Sequence, residues 1–259
     1  MQDIQVKILT ETPSKETLSE FIELLNKGEI RIVTKQEDKY IVNEWVKTGI
    51  LKYLKHSDFK FIQSEISNFY DKTYTRFLNT PDSYFKENSI RVLPQGYIRN
   101  GVHIAKNCII MPSIINIGAY IDSGTMIDMG AAIGSCAQIG KNCHISANST
   151  IGGVLEPVNA SPCIIEDNVF IGANSCVVEG AVVREGAVIS NGVHISKSTK
   201  IVNRETKEIT FGEIPKNAVV IPGSYSTTEN LSISCAVIAK YKDEKTSEKV
   251  SINEFLRTL

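Results

Sequence analysis

A large aliphatic side chain recurs at every sixth position through the middle of the chain. Fifteen isoleucines and valines follow this spacing in two series, one from Ile109 to Ile151 and the other from Ile165 to Ile201. A six-residue step rotates a helical side chain by roughly 240° and would scatter the series over three faces, whereas an even step keeps an extended chain on one face. The spacing therefore predicts short β-strands, each with one buried aliphatic residue.

Small residues follow the aliphatic ones at a fixed distance. Nine of them lie four positions further along the chain: Ser113, Ala119, Thr125, Ala131, Ala137, Ser149, Ser175, Ala181 and Ala187. Large and small inward positions separated by turns are typical of a parallel β-helix, in which each coil stacks on the one before. We therefore predict a mainly β fold, a parallel β-helix built from hexapeptide repeats.

The first 90 residues have a different pattern. Apolar residues between Ser14 and Gly28 have helical spacing with suitable caps, and the segment VKTGILKYLK is helical again. Between them, EIRIVTK and YIVNEW flank four polar residues and predict a hairpin. Residues 59–88 are aromatic and mixed in pattern, and we interpret them as a packed connector. Residues 1–90 are therefore predicted to form a small α-rich domain.

The repeat is interrupted once and ends before the C-terminus. The step from Ile151 to Ile165 is 14 residues, and its Gly and Pro residues favour a loop at 152–162 that leaves one corner of the β-helix. A strand at 235–242 and a short helix at 251–259 are expected to cap the last coil. The predicted units are an N-terminal domain at 1–90, a β-helix at 91–222 and a C-terminal extension at 223–259.

Composition and charge exclude several classes of partner. The net charge of −1 gives no general attraction to nucleic acid or to anionic membranes. No segment approaches the roughly 18 apolar residues of a membrane-spanning helix, and the first residues lack the apolar core of a signal peptide. The six cysteines form no CxxC pair and no secreted-type framework, which favours reduced thiols. We expect a soluble, cytoplasmic protein whose partners are small molecules or other protein chains.

The usual signatures of nucleotide-binding and hydrolytic sites are absent, including the P-loop, GxGxxG, HExxH and GxSxG. Chemistry must then come from polar side chains on the outside of the β-helix. Asp122 and Asp128 follow successive strands, so they face different sides and form no carboxylate pair. We interpret His144 and His194 as solvated turn residues, although one outward histidine could serve as a general base. The four scattered histidines predict no metal site.

Read in order, the repeats resemble the tetrahydrodipicolinate N-succinyltransferases, hexapeptide-repeat enzymes of bacterial lysine and diaminopimelate biosynthesis. The segments IRVLP, GTMID, GSCAQIGKN, IGGVLEP, CAVIAKY and INEFLRTL carry this resemblance, which covers nearly all of the chain. Hexapeptide repeats alone are shared by many sugar and serine acyltransferases. The combination of GTMID, GSCAQIGKN and IGGVLEP is much narrower.

The resemblance implies a left-handed β-helix and a homotrimer with active sites between subunits. It also implies an enzyme that moves the succinyl group of succinyl-CoA, a co-substrate, to the amine of ring-opened tetrahydrodipicolinate, without a tightly bound cofactor. Arg91 matches the family arginine that binds the dicarboxylate, a role that suits a planar guanidinium. Asp128 matches the family aspartate at the acceptor site, where a carboxylate could hold or deprotonate the attacking nitrogen.

Two departures from the family pattern leave alternatives open. Met129 and Gly130 stand where the family usually has Thr-Trp, and Cys176 stands where it has a second acidic residue of the substrate site. A thiol with the usual pKa of about 8.5 does not replace a carboxylate at neutral pH. The alternatives are a related acyltransferase with another acyl donor or amine acceptor, and a non-catalytic or metal-dependent β-helix protein. The retained Arg91 and Asp128 argue against a scaffold.

Coenzyme A is expected to contact backbone amides along a groove and a few cations. The candidates are Gly172, Ala173, Lys197, Lys200 and Arg204. The oxyanion of the acyl-transfer intermediate needs an N–H donor, which either the corner Gly152-Gly153 or the corner Gly172-Ala173 could supply.

Overall fold

The computed structural model describes residues 2–63 and 68–242. The described residues before position 90 form helices and short hairpins. In chain order these are α1 (Gln2–Leu9), α2 (Lys15–Lys27), β1 (Val33–Gln36), β2 (Lys39–Val42), α3 (Glu44–His56), β3 (Lys60–Gln63), β4 (Asn68–Asp71) and α4 (Asp82–Asn88). The predicted helix that begins at Ser14 is confirmed as α2. Ser14 Oγ accepts the N–H of Thr17 at 3.2 Å, and Gly28 ends the helix with a left-handed φ of 73°.

The predicted hairpin is confirmed as β1 and β2, but the interpretation of residues 59–88 as a packed connector is incomplete. This segment contains a second hairpin, β3 and β4, and the short helix α4. The hairpin carries exposed aromatic side chains: Phe61 and Tyr70 are 64% and 70% exposed, and Phe59 stacks on Tyr70 with 5.1 Å between ring centroids. The other aromatic residues include three that pack against the β-helix core, namely Phe77, Tyr84 and Phe85. A rule that takes apolar residues as buried positions cannot find such strands.

From Arg91 onward the chain forms two-residue strands separated by turns. These strands are β5 (Arg91–Val92), β6 (Tyr97–Ile98), β7 (His103–Ile104), β8 (Ile109–Ile110), β9 (Ile114–Ile115), β10 (Tyr120–Ile121), β11 (Met126–Ile127), β12 (Ala132–Ile133), β13 (Gln138–Ile139), β14 (His144–Ile145), β15 (Thr150–Ile151), β16 (Ile164–Ile165), β17 (Phe170–Ile171), β18 (Cys176–Val177), β19 (Val182–Val183), β20 (Val188–Ile189) and β21 (His194–Ile195). The chain continues with β22 (Lys200–Asn203), β23 (Ile209–Phe211), β24 (Glu213–Ile214), β25 (Ala218–Thr228) and β26 (Leu231–Tyr241).

Each coil gives one strand to each of three sheets, which is the predicted parallel β-helix. The long sheet contains β5, β8, β11, β14, β17, β20 and then β25, β26, β22 and β23. The covered sheet contains β7, β10, β13, β16, β19 and β24, and the open sheet contains β6, β9, β12, β15, β18 and β21. Within the coils all pairings are parallel and in register, for example Met126 with His144 and Ile127 with Ile145.

The interior of the β-helix is filled by the residues that the repeat predicted. All fifteen aliphatic residues of the two series are buried except Ile109, and the nine small residues are buried as well. The prediction for Ile109 is wrong: this residue pairs with outward Met126, and Ile110 pairs with inward Ile127. The turn at 111–113 is one residue shorter than the next turn, so the six-residue register begins only at Ile115.

The covered sheet carries the N-terminal helices on its outer face. Ile117, Cys136 and Ile164 of the β-helix share one apolar core with residues of α2 and α3 such as Phe21 and Ile50. Burial of this contiguous apolar surface is the main force that holds the two parts together.

A carboxylate at the edge of this contact is shared by both parts. Glu166 Oε1 accepts hydrogen bonds from Lys35 Nζ at 2.8 Å, from Tyr40 Oη and from Arg184 at 3.2 Å. Glu166 Oε2 accepts the backbone N–H of Glu185 at 2.8 Å. Lys35 and Tyr40 belong to the hairpin β1–β2, so their hydrogen bonds to Glu166 connect this hairpin to the β-helix.

The predicted loop leaves the β-helix between β15 and β16 and is anchored from the N-terminal part. Lys47 of α3 is fully buried, and its Nζ donates hydrogen bonds to the carbonyl oxygens of Pro157 and Ala160, both at 3.0 Å. Burial lowers the pKa of Lys47. A buried ammonium group requires such partners, because an unpaired charge in the interior is strongly destabilising.

Two long strands close the C-terminal end of the β-helix. The predicted strand at 235–242 is confirmed as part of β26, which pairs with β25 in an antiparallel hairpin. The boundary predicted at residue 222 falls inside β25, whose first residues also pair with β20. We propose the units 1–90, 91–222 and 223–259, with β25 shared by the last two. The helix predicted at 251–259 lies outside the described residues, and the described helices are too short or too polar to cross a bilayer.

Candidate active site

The turns that connect the long sheet to the open sheet form a ridge along the β-helix, which we call the site corner. It comprises residues 93–96, 111–113, 128–131, 146–149, 172–175 and 190–193. Successive turns are stacked about 4.8 Å apart, the spacing of neighbouring strands. Asp128 begins one of these turns, and Gly172 and Ala173 begin another, two coils further on. The structure thus places three of the predicted site residues on one ridge.

The Asp128 carboxylate is oriented by its own turn and faces a histidine. Its Oδ1 accepts the backbone N–H of Met129 at 2.7 Å. Its Oδ2 lies 4.0 Å from Nε2 of His144, and the two side chains are 24% and 38% exposed. Burial lowers the pKa of His144, while the negative charge of Asp128 raises it. The site therefore pairs a carboxylate with an imidazole.

Arg91 and Cys176 lie on the two sheets that meet at the site corner, but on other coils than Asp128. Arg91 is exposed in the first strand of the long sheet, two coils before Asp128, and forms no ion pair with any described residue. Cys176 is half-buried on the open sheet, two coils after Asp128, between Thr150 and His194. Four coils separate Arg91 from Cys176, about 19 Å along the axis. A small dicarboxylate cannot reach both residues of one chain.

The Cys176 side chain has no negative charge at neutral pH. Burial raises the pKa of its thiol above the usual value, so the thiolate form is disfavoured. The acidic residue that the family resemblance leads one to expect here is therefore replaced by a neutral group.

At the two corners predicted to supply a donor to the oxyanion, some of the backbone N–H groups already have hydrogen-bond partners. The N–H of Gly172 donates to Ile189 O at 2.8 Å, and the N–H of Gly152 donates to Val177 O at 2.7 Å. The coil ladder already uses both of these amides, so a donor from either corner would be the following amide, at Gly153 or Ala173. Glycine is needed at 172 for packing, since a Cβ there would lie 2.5 Å from the backbone nitrogen of Asn191. The Ala173 N–H makes no hydrogen bond within the described residues and remains a candidate donor.

The predicted cation cluster stands away from Asp128, at the C-terminal end of the β-helix. Lys197 and Arg204 are exposed. Lys200 lies at the start of β22, with Nζ 5.5 Å from the ring centroid of Phe211 and 5.0 Å from that of Tyr225. None of the three lies on the site corner. Within one chain they could reach only a long ligand that extends along the ridge.

An open depression of about 310 Å³ lies beside Gly130, between the site corner and the open sheet. It is lined by Gln95, Pro112, Ser113, Ile114, Gly130, Ala131 and Ala132. Gly130 has a left-handed φ of 73°, and a Cβ on it would lie 2.1 Å from Oδ1 of Asn148. Asn148 thus fills the space that a side chain at position 130 would need. The lining carries no charged group.

His144 is the site residue that the sequence reasoning missed. It lies within β14 and the exposed His194 lies within β21, so the interpretation of both as turn residues is wrong. The sequence left open whether one outward histidine serves as a general base, and no local pattern placed His144 beside Asp128. The residue directly before an inward aliphatic residue points outward, because side chains alternate along a strand. Within residues 2–63 and 68–242, no three His, Cys, Asp or Glu side chains come together as metal ligands.

Comparison with known protein families gives matches along most of the chain. Residues 3–55 match the N-terminal domain of tetrahydrodipicolinate N-succinyltransferases. Residues 118–153 match the bacterial transferase hexapeptide repeats, and residues 162–197 match the hexapeptide repeat of succinyltransferases. The fold resembles a crystal structure of a 2,3,4,5-tetrahydropyridine-2-carboxylate N-succinyltransferase from Campylobacter jejuni, with a TM-score of 0.58 and 20% identity over 87% of this chain and 63% of that chain.

Curated relatives extend this similarity over nearly the whole chain. The chain is 54% identical over 246 residues to the 2,3,4,5-tetrahydropyridine-2,6-dicarboxylate N-succinyltransferase of Rickettsia conorii and 51% identical over 245 residues to that of Buchnera aphidicola. Both alignments cover 94% of this chain and 90% of the relative. With about half of its residues identical over this length, the chain belongs to the 2,3,4,5-tetrahydropyridine-2,6-dicarboxylate N-succinyltransferase family, a family of CoA-dependent acyltransferases.

Proposed function

We propose that this enzyme transfers the succinyl group of succinyl-CoA to the amine of ring-opened tetrahydrodipicolinate, a step of diaminopimelate and lysine biosynthesis in the cytoplasm. The identity of about half of all residues to named N-succinyltransferases over 94% of the chain carries this proposal. The site corner supports it, because its turns run along six coils and can form one wall of the long groove that an extended thioester substrate requires.

In the reaction, the amine nitrogen attacks the carbonyl carbon of the thioester. A new N–C bond forms, the C–S bond breaks, and the coenzyme leaves as a thiolate. Asp128 is placed to hold the attacking amine and to take its proton, since its Oδ1 is fixed by the Met129 N–H and its Oδ2 is open. The N–H of Ala173 is the candidate donor to the oxyanion. Arg91, exposed and unpaired among the described residues, is the candidate partner of an acceptor carboxylate.

We propose a homotrimer in which each site lies between two subunits. The membership of the chain in this family supports this arrangement, since the family resemblance implies active sites between subunits. The open sheet supports it as well: Ile114 and Met129 at its edge are 56% and 52% exposed. Analytical ultracentrifugation is expected to give a trimer, and a fully active monomer would contradict this proposal.

A second candidate function keeps the fold and the coenzyme but changes the acyl group or the acceptor. Two observations favour it: the neutral Cys176 thiol and the uncharged depression beside Gly130. The deciding experiment is a thiol-release assay with tetrahydrodipicolinate that compares succinyl-CoA with acetyl-CoA. We expect turnover with succinyl-CoA to dominate. No release with succinyl-CoA would refute the leading proposal.

The same assay tests the role of Asp128. We expect Asp128→Asn to lower kcat by at least about a hundredfold, the lower end of general acid–base contributions, with nearly unchanged thermal stability. Asp122→Asn is a matched control, because Asp122 Oδ1 also accepts the next backbone N–H at 2.7 Å but lies on another corner. Near-normal turnover of Asp128→Asn would remove this residue from the chemistry, and an equal loss in both variants would indicate a structural role.

A further inference from the structure

The carboxylate at the proposed site has an imidazole as its neighbour, and nothing in the family resemblance assigns a role to that group. His144 projects outward from β14, one coil beyond Asp128, between Met126 and Phe170 of the adjacent strands. One side of its ring rests against Phe170, with 5.2 Å between ring centroids and 51° between ring planes. Its Nε2 points towards Asp128 Oδ2 at 4.0 Å.

In this arrangement the imidazole ring packs against the apolar ring of Phe170, while its Nε2 faces the carboxylate of Asp128. Phe170 is only 7% exposed, so the ring that supports His144 is itself held by the protein. On the side of Asp128, Oδ1 is already bonded to the Met129 N–H, which leaves Oδ2 for the histidine and for substrate. The 4.0 Å separation is longer than a hydrogen bond, and catalytic contacts of this kind often tighten only when substrate binds.

Acyl transfer to an amine moves one proton from the attacking nitrogen to the departing sulfur. The attacking nitrogen must lose one proton after the N–C bond forms, and the departing thiolate must gain one. Carboxylic acids ionise near pH 4, so a carboxylate accepts a proton at neutral pH only briefly. Imidazole ionises near neutrality and can hold the proton between the two events.

We propose that His144 is the positioning and proton-holding partner of Asp128. In this scheme Asp128 takes the proton from the attacking nitrogen and passes it to Nε2 of His144. The imidazolium then returns it, so that it ends on the sulfur of the departing coenzyme thiolate. The proton lost by nitrogen is thus the proton gained by sulfur, and no other reactant is needed. This proposal rests on the proposed acyltransferase function and on the role of Asp128 in it.

The surroundings of His144 favour a neutral imidazole that becomes charged during turnover. Burial against Phe170 lowers the pKa of His144, and Asp128 raises it. No charged side chain other than Asp128 contributes to this pKa among the described residues: Met126 and Phe170 flank the ring on the adjacent strands, and neither titrates. The ring therefore starts as a proton acceptor and is stabilised as imidazolium by one specific carboxylate.

The alternative is that His144 only packs against Phe170. Two variants separate these roles, since His144→Phe keeps an aromatic ring without a proton acceptor and His144→Gln keeps a polar edge. We expect both to lower kcat by at least about a hundredfold, with KM values for both substrates changed less than about twofold. We also expect both to remove the fall of kcat below neutral pH that protonation of the wild-type imidazole causes. His56→Gln, at the end of α3 and away from the site corner, is the matched control and should retain wild-type kinetics.

A second measurement does not depend on turnover. The chain has four histidines, so the ring resonances of ¹³C-labelled protein can be assigned by comparison with His144→Gln and titrated by NMR. We expect the His144 pKa to fall in Asp128→Asn, because the charge that raises it is removed, and to stay unchanged in Asp122→Asn. An unchanged His144 pKa in Asp128→Asn would overturn the pairing.

Failure of the proposal for His144 can be distinguished from failure of the proposed acyltransferase function. If His144→Phe retains more than about a third of the wild-type kcat, the residue serves packing and the proposal fails. If the wild type itself shows no activity with succinyl-CoA and tetrahydrodipicolinate, the proposed function fails, while the NMR titration still decides whether Asp128 and His144 act as one pair.

Discussion

Replacement of Glu166 by glutamine tests how the N-terminal part is held on the β-helix. The side chain of Glu166 is only 13% exposed, and Lys35, Tyr40 and Arg184 converge on its Oε1. Glutamine has nearly the same shape but no charge, so Glu166→Gln removes the electrostatic part of these contacts and leaves the packing in place.

The expected size of the effect follows from the pKa of this carboxyl group. Burial alone would raise the pKa of Glu166, but the hydrogen bonds from Lys35, Tyr40 and the Glu185 N–H outweigh it and lower the pKa from 4.5 to about 2. One pKa unit corresponds to about 1.4 kcal/mol, so the ionised group contributes up to about 3 kcal/mol to the free energy of unfolding at pH 7.

The pH dependence has a definite sign. Because the pKa is lower in the folded chain, the contribution is fully present above the unfolded value of 4.5 and is lost as the pH falls towards 2. The difference in unfolding free energy between wild type and Glu166→Gln should be about 3 kcal/mol at pH 7 and about half of that at pH 3. Urea unfolding followed by circular dichroism, at one fixed protein concentration, measures both values.

The control is Glu185→Gln, which breaks an exposed ion pair with Lys216. We expect little change in stability, since exposed pairs are screened by water. If the gap between wild type and Glu166→Gln is the same at both pH values, the effect comes from packing and the electrostatic reasoning is refuted. A gap no larger than that of the control would show that Glu166 is an ordinary surface group.

Two further substitutions test the substrate site. Arg91→Lys should raise the KM for the acceptor more than the KM for succinyl-CoA, because lysine keeps the charge but loses the two-pronged fit to a carboxylate; equal effects on both KM values would indicate a structural arginine. Cys176→Glu should fold normally, because the side chain points outward, and kcat/KM with tetrahydrodipicolinate and succinyl-CoA should stay level or rise. A fall in kcat/KM would mean that the true acceptor leaves no place for a second acid. If the wild type is inactive and Cys176→Glu is active, the proposed function is overturned.

The limits of sequence reasoning are clearest at single residues. Asp128 was found because a motif marks it, but its partner His144 was not, since contacts between adjacent coils join residues 16 positions apart and no local pattern records them. Ile109 satisfied the six-residue spacing and still points outward, because one shorter turn shifted the register. Gly172 was predicted as a backbone contact of coenzyme A, whereas its N–H belongs to the ladder and its missing Cβ makes room for the next coil.

The sequence by itself determined the β-helix. Side chains alternate along a strand, so a six-residue step returns one aliphatic side chain per strand to the interior, and this does not depend on the outward residues. It also determined the main helix and the first hairpin of the N-terminal part, whose signals are local. Only the tertiary structure decided which outward residues meet. The stacking of coils pairs Asp128 with His144, and the docking of the N-terminal part brings Lys35 and Tyr40 to Glu166. These contacts depend on distances between coils and layers, which no pattern along the chain contains.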